Sequence, residues 1–367
     1  MTKGNIILSA GGTGGHLFPA QALAHELVVR GWTIHLLTDQ RATQYADMFP
    51  AADMHVVESA SPSGKNPIKL LKAVLSLVRG TRRARQLINE IKPAAVVGFG
   101  GYPTVPPLWA ASGVVPTMVH EQNAVMGRAN KVLAAKVTKI AGGFLKASGQ
   151  FADKIVETGN PVRPDVIAAA GSPYQAPTAD GPLKLLIFGG SQGAQFFSTA
   201  VPEALARLPK ALRSRLKVTA QARPEDKDAA VEMYKGIGVE AEIASFFGDL
   251  PQRIADAHLV MSRSGASTVS EIAAIGRPAI LVPYPHALDH DQAANAAALE
   301  ARGGALVKPQ SQLTAASMAE LLEELLGAPD RLVAMADAAK AAGRPDATGL
   351  LADLVEAIAS GEKHTTP

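Results

Sequence analysis

The sequence predicts an α/β protein made of two parallel-sheet domains facing each other across a cleft. Three observations carry this. Short apolar runs alternate with amphipathic stretches at helical spacing. The alternation breaks over residues 159–182, rich in proline and glycine, and then restarts. Each half also opens with the same device, an apolar run that enters a glycine loop and leaves as a helix: IILSAGGTGGHLFPAQALAHEL at 6–27 and LLIFGGSQGAQFF at 185–197.

In the first half, strands are expected at Asn5–Ala10, Thr33–Thr38, Met54–Val57, Ala94–Gly98, Thr117–His120, Lys139–Ala141 and Ile155–Glu157. Helices are expected at Pro19–Arg30, where Gly31 stops the helix, and at Ile68–Ile91, Val105–Ser112 and Gly127–Ala135. The second half repeats the pattern, with strands at Lys184–Phe188, Leu216–Ala220, Glu240–Ile243, Leu259–Met261 and Ala279–Val282 and a helix at Thr268–Ile275. Helices dominate from Gln292 onward. Such strands carry little polar alternation, as expected of a parallel sheet covered on both faces. The 367 residues suit two domains of ordinary size.

Composition narrows the function classes. Hydrophobic residues make up 47% of the chain, too many for a disordered one. There is no cysteine, which excludes disulfides and thiolate metal sites and suits a reducing cytosol. The start carries no signal-peptide pattern, and no apolar run approaches the ~18 residues of a membrane span. A net charge of +3 leaves no polycationic footprint for nucleic acid. Charge is nevertheless concentrated: Lys65, Lys69, Lys72, Arg79, Arg82, Arg83, Arg85 and Lys92 face a single acid, Glu90. Within Ile68–Ile91, Ile68, Leu71, Val74, Leu75 and Val78 recur at helical spacing, and Leu70 and Leu77 widen the apolar face. Two readings stay open: a covering helix with a solvated charged side, or a basic amphipathic helix lying on an anionic membrane surface.

The glycine loops do not fit the nucleotide fingerprints. From Gly12 the dinucleotide spacing G-x-G-x-x-G meets Leu17 in place of the third glycine, so NAD is not expected, although Asp39 would suit a ribose. Neither loop has the lysine of a P-loop. What remains is general: amide groups at a glycine turn and helix start converge on an anion. The bland alternative is that the glycines only permit close packing. A third stretch, SRSGASTVSEIAAIGRPAILVPYP at 262–285, places Ser264–Ser267 before a helix and Glu271 about a turn inside it. Phosphates at the helix start would bring a ribose within reach of that carboxylate; alternatively, Glu271 is a surface residue stabilising the first turn.

Taken in order, GGTGGH, FGGYPTVP, HEQNAVMGRAN, GNPVR, GGSQGA and the 262–285 stretch resemble the MurG family of N-acetylglucosaminyltransferases, which complete lipid II in peptidoglycan synthesis. The resemblance runs from Asn5 to about Leu299. It implies a GT-B architecture: an N-terminal acceptor and membrane-facing domain over 1–163, a UDP-GlcNAc-binding domain over 164–343, and a last helix, about 344–361, packing back on the first domain. By the same resemblance, Thr13, Gly14, Gly15, Asn123 and Arg163 belong to the nucleotide-sugar site. Ser191 touches the diphosphate, Phe247 meets uracil through its backbone, Ala266, Ser267, Thr268, Val269, Ser270 and Glu271 hold ribose and phosphate, and Gln292 reads the sugar. The acceptor side is expected near the 59–67 loop, Tyr102 and Asn130.

The implied reaction is an inverting transfer of GlcNAc from UDP-GlcNAc to the 4-hydroxyl of MurNAc in lipid I. It needs a base, for which His16 is the first choice, with His120 and Glu121 as alternatives. Asp289-His290-Asp291 is an Asp-x-Asp triplet of the kind that binds a divalent ion in another glycosyltransferase fold; no metal or other cofactor is expected here. The implied location is peripheral, on the cytoplasmic face of the plasma membrane, with proteins of the cell-wall machinery as further partners. The competing readings are a GT-B enzyme of different sugar or acceptor, and a nucleotide-sugar-binding protein without turnover.

Overall fold

The computed structural model describes residues 2–11, 14–42, 49–60, 67–190, 194–287 and 291–361. The chain forms two compact units, Met1–Arg163 with Pro345–Pro367, and Pro164–Arg344.

The first unit holds β1 (Gly4–Ser9), β2 (Trp32–Thr38), β3 (Asp53–Val56), β4 (Ala95–Gly98), β5 (Thr117–Glu121), β6 (Lys139–Gly142) and β7 (Ile155–Glu157), with helices α1 (Gly14–Val29), α2 (Pro67–Ile91), α3 (Val105–Ala111) and α4 (Arg128–Ala134). The seven strands are ordered β3-β2-β1-β4-β5-β6-β7 and every pairing is parallel. Because side chains alternate along a strand, β1 feeds two cores. Ile6 and Leu8 join Leu23, Leu27 and Ile34 on one side, and Ile7 joins Leu37, Val96 and Leu87 on the other.

The second unit holds α5 (Pro164–Ala170), β8 (Leu183–Phe188), α6 (Gln195–Leu205), α7 (Lys210–Arg213), β9 (Leu216–Gln221), α8 (Lys227–Gly236), β10 (Glu240–Ala244), α9 (Leu250–Asp256), β11 (Leu259–Ser262), α10 (Ala266–Ile275), β12 (Ala279–Leu281), α11 (Asp291–Glu300), β13 (Ala305–Val307), α12 (Ala315–Leu326) and α13 (Pro329–Ala342). Its six parallel strands run β10-β9-β8-β11-β12-β13. In both sheets the order reverses beside the first strand, between β1 and β4 and between β8 and β11. Open parallel sheets bind their ligands at that switch point, outside the carboxyl ends of the strands.

The last helix, α14 (Ala347–Ser360), belongs to the first unit. Leu351, Leu354, Val355 and Ile358 enter the α1 side of its core. Glu356 accepts from Lys3 Nζ at 2.7 Å, Trp32 Nε1 at 2.8 Å and Arg30 at 2.9 Å, and Arg30 also meets Asp353 at 2.6 Å.

Several elements depart from the pattern reading. α1 starts at Gly14, more than a turn before Pro19, so the glycines and His16 belong to its first turn; packing of the helix overrides the poor propensity of glycine. The 159–182 stretch holds the division between the units, at Arg163 and Pro164, and also a short helix, α5, that its composition did not signal. The strand β13 has only three residues and no readable period. The seam of α2 is also different. Ala73, Gly80, Ala84, Leu87 and Ile88 are buried, whereas Ile68, Leu71, Val74, Leu75 and Val78 are exposed. At Gly80 a Cβ would lie 2.0 Å from the Glu58 carbonyl oxygen, so only glycine permits that approach.

Candidate active site

In the first unit, the switch point is built from the ends of β1, β4 and β5. Gly100 and Gly101 follow β4 with φ of 93° and 76°, a turn that glycine adopts without strain. His16, in the first turn of α1, lies against this turn: a Cβ on Gly100 would approach its ring to 3.1 Å. The half-buried imidazole is hydrogen-bonded to the Gly11 backbone, just beyond the end of β1. Burial, with a smaller contribution from Arg41, holds its pKa below the ordinary value, so the ring is neutral near pH 7. Gly14 is buried and Gly15 exposed at the same helix start. Thr13 lies outside the described residues, as does Ser191 in the second unit.

The HEQN segment acts as wiring. Glu121 accepts four hydrogen bonds, from the Asn123 backbone at 3.0 Å, Asn123 Nδ2 at 3.2 Å, the Gly127 backbone at 2.8 Å and Asn130 Nδ2 at 2.8 Å. Burial pushes its pKa up against those donors. With all its lone pairs engaged, this carboxylate shapes the 121–130 loop and has none left for an incoming alcohol. His120 is fully buried between Phe99 and the Gly159 carbonyl, 3.2 Å from Nε2. Burial pushes its pKa down to about 4. Both alternatives to His16 are thereby placed behind the surface that a substrate could reach. Asn160 donates to the Gln122 carbonyl at 3.0 Å and Gln122 to the Phe99 carbonyl at 2.8 Å. HEQN and GNPVR, 39 residues apart from His120 to Gly159, thus form one structure. Arg163, at its end, stacks over the Phe18 ring of α1 at 4.8 Å, which brings it to the helix that carries His16. Asn123 is half-buried on the same wall.

In the second unit, three loops leave the carboxyl edge of the sheet together. Gln221, at the end of β9, accepts from the Gly189 backbone at 3.1 Å and donates to the Ser245 carbonyl at 3.2 Å, joining the glycine loop to the segment that carries Phe247. Phe247 is buried against Arg253, whose guanidinium stacks on its ring at 4.3 Å. Arg253 is in turn held by Asp249 and Glu242. α10 begins at Ala266, with Gly265 at its cap and nothing within 4 Å of where a Cβ would stand. No side chain among the described residues caps that helix start, the condition under which its first amides can receive an anion. Thr268, Val269 and Ser270 continue the helix, with Val269 fully buried. Glu271 is 8% exposed, which removes the reading of a surface glutamate. Gln292 Oε1 accepts from the backbones of Tyr284 at 2.9 Å and Ser264 at 3.3 Å, so this carboxamide oxygen holds the loop. Asp291 Oδ1 accepts from the Gln292 backbone, while Asp289 and His290 lie outside the described residues.

Two residues of this edge escaped the motif reading. One is Gln221. The other is Arg263, which is buried among Phe196, Phe197 and Tyr284 and bonded to the carbonyls of Val282 and Pro283 and to Gln310. No carboxylate pairs with it among the described residues, so it leaves net positive charge beside the start of α10. Both stand at the carboxyl end of a predicted strand, and that position was the available signal.

Two Rossmann-like parallel sheets, each with its switch point beside its first strand, have the architecture of the GT-B class of glycosyltransferases. The chain belongs to glycosyltransferase family 28: the N-terminal domain of that family matches residues 6–142 and the C-terminal domain residues 184–351. A relative from Chelativorans sp. (strain BNC1) is 64% identical over 100% of this chain and 98% of its own length. It is a UDP-N-acetylglucosamine–N-acetylmuramyl-(pentapeptide) pyrophosphoryl-undecaprenol N-acetylglucosamine transferase. A relative of the same name from Sinorhizobium fredii is 62% identical over 98% of this chain and 97% of its own. The crystal structure of Acinetobacter baumannii MurG superposes with a TM-score of 0.77 at 28% identity, covering 96% of this chain and 99% of that one. The likeness to MurG read from the motifs is borne out.

Proposed function

We propose that this chain transfers N-acetylglucosamine from UDP-N-acetylglucosamine to the 4-hydroxyl of N-acetylmuramic acid in lipid I, giving lipid II. The near end-to-end identity with transferases of that name carries the reading, and the side-chain arrangement supports it. The α10 amides and the charge of Arg263 receive the diphosphate, and Glu271 takes the ribose hydroxyls. Phe247 supports the uracil, and Gln292 fixes the loop beside the sugar. His16 accepts the proton of the attacking hydroxyl as the bond to UDP breaks, and the anomeric centre inverts through an oxocarbenium-like transition state. Helix amides and guanidinium groups supply the countercharge for departing UDP, so the transfer proceeds without a metal.

No helix among the described residues is long and apolar enough to cross a membrane. The enzyme meets its lipid substrate through α2, whose first half exposes Ile68, Leu70, Leu71, Val74, Leu75 and Val78 among lysines and arginines. This is a peripheral attachment to an anionic leaflet, assigned to the cytoplasmic face of the plasma membrane, where proteins of the cell-wall machinery would be met.

The test is direct. Purified protein given UDP-N-acetylglucosamine and a lipid I analogue, with a chelator present, should release UDP and form the β-linked disaccharide. Turnover with another sugar nucleotide but not with this one would assign the chain to a different branch of the fold. Binding of UDP-N-acetylglucosamine without product would point to the non-catalytic reading.

A further inference from the structure

We propose that His35, Asp53 and His55 form a site for one divalent transition ion of the zinc class, clamping the edge strand β3 to β2. The inference goes beyond the transferase reading and does not depend on it. β3 is the outermost strand of the first sheet and pairs only with β2. Their register sets His35 opposite Asp53 and Leu37 opposite His55. Residues two apart on a strand share a face, so Asp53 and His55 project from the same side of β3, and His35 meets them from β2. Leu37 on that side belongs to the core beneath α2, while Ile34, Leu36 and Met54 pack on the other face. The three polar residues therefore stand where the core gives way to the sheet edge.

Their donor atoms all lie within 4.8 Å of one another, the one such cluster of histidine and acid groups among the described residues. His35 Nδ1 is 3.9 Å from Asp53 Oδ2, and the two imidazoles are stacked with centroids 6.1 Å apart. Donors bound at ~2.0–2.2 Å to a tetrahedral ion stand about 3.3–3.6 Å apart, so small side-chain rotations complete the set. Asp53 is exposed and has room to make them. His35 Nδ1 and His55 Nε2 are both shielded from solvent and have no hydrogen-bond partner among the described residues. Buried polar atoms left in that state call for an explanation, and a metal ion supplies one. Burial, and then the neighbouring His55, hold the His35 imidazole below its ordinary pKa, the neutral form that ligates. Two imidazoles and one carboxylate favour zinc over calcium or magnesium, with water completing the fourth position. The cluster lies along β3 at the sheet edge, with His35 in the middle of β2, whereas the candidate active site of this unit is built from the ends of β1, β4 and β5, so the ion would serve the fold and not the transfer.

The experiment is calorimetric titration of zinc chloride into chelator-treated, untagged full-length protein. One ion per chain is expected. His35→Ala and His55→Ala should each weaken binding by at least the ~10–100-fold that loss of a mere outer-shell partner costs. His25→Ala, an exposed histidine on α1, should bind as the unaltered protein does. Asp53→Asn, at an exposed position, covers the case in which a histidine variant fails to fold, and an unaltered circular dichroism spectrum and thermal transition identify the folded variants. Cobalt in place of zinc should give the intense visible bands of a tetrahedral site. Absence of zinc binding, or affinity unchanged in His35→Ala, His55→Ala and Asp53→Asn, would overturn the proposal.

Discussion

Three candidate bases look alike on paper and differ in what surrounds them. His16 keeps partial exposure, Glu121 is saturated by four donors, and His120 is enclosed. His16→Ala should therefore cost ~10²–10⁴ in kcat, the usual contribution of a positioned base. In the unaltered enzyme, kcat/KM should rise with pH through an inflection below the ordinary imidazole value of 6.5, because the base must be unprotonated and burial lowers its pKa. That limb should vanish in His16→Ala. Glu121→Gln places an amide against four donors and should destabilise the protein by about 1–3 kcal/mol, leaving the limb in place. A pH–rate profile and a urea titration of each variant separate the two roles. Loss of the limb in Glu121→Gln would return that residue to the list of bases.

At the scale of elements, α2 shows how pattern and packing part company. Its most hydrophobic residues are not its core-facing ones; the buried seam consists of smaller residues, Ala73, Gly80 and Ala84, before it reaches Leu87 and Ile88. Gly80 lets α2 approach the Glu58 backbone, beyond the end of β3, and the larger aliphatic side chains are left outside. Periodicity located the helix and its apolar stripe and left open what that stripe faces; small residues carry little hydrophobic signal, so the buried seam beside it was not legible. Binding to anionic vesicles should fall with salt. Reversing charge at Arg82, Arg83 and Arg85 should weaken it at least ~10-fold, given about 1 kcal/mol per basic residue near such a surface. Sedimentation with vesicles of defined anionic content measures this, and unchanged binding would remove α2 from the membrane contact.

Across the whole molecule, the chain leaves the first unit at Arg163 and returns to it at Pro345. The returning α14 buries Leu351, Leu354, Val355 and Ile358 in the first core, each worth ~1.5–3 kcal/mol. Glu356 adds a polar tie: although burial opposes its charge, bonds from Lys3, Trp32 and Arg30 hold its pKa down to about 2. That contribution is fully present above the unfolded value of 4.5 and is lost as pH falls toward 2. Deleting residues 345–367 should abolish cooperative folding of the first unit while the second keeps its own core. Hydrogen exchange resolved by segment would show it, with protection lost over β1 and β2 and retained over β8 and β11. Full protection of β1 in the truncated chain would contradict this role for α14.

The sequence by itself determined the strand–helix alternation, the repeat of a glycine loop in two successive sheets, and the positions of every strand but β13 and of the helices α1 to α4. These follow from local periodicity and turn chemistry, which short windows of residues encode. It also pointed to HEQN, GNPVR and the 262–285 stretch as the segments that matter. Only the tertiary structure decided that HEQN and GNPVR close on each other, that Glu121 is a scaffold, that Arg263 and Gln221 line the second edge, and that His35 meets Asp53 and His55. Contacts between residues far apart in the chain leave no local period. Burial, which sets a histidine's charge and frees or occupies a carboxylate's lone pairs, is a property of the packed molecule.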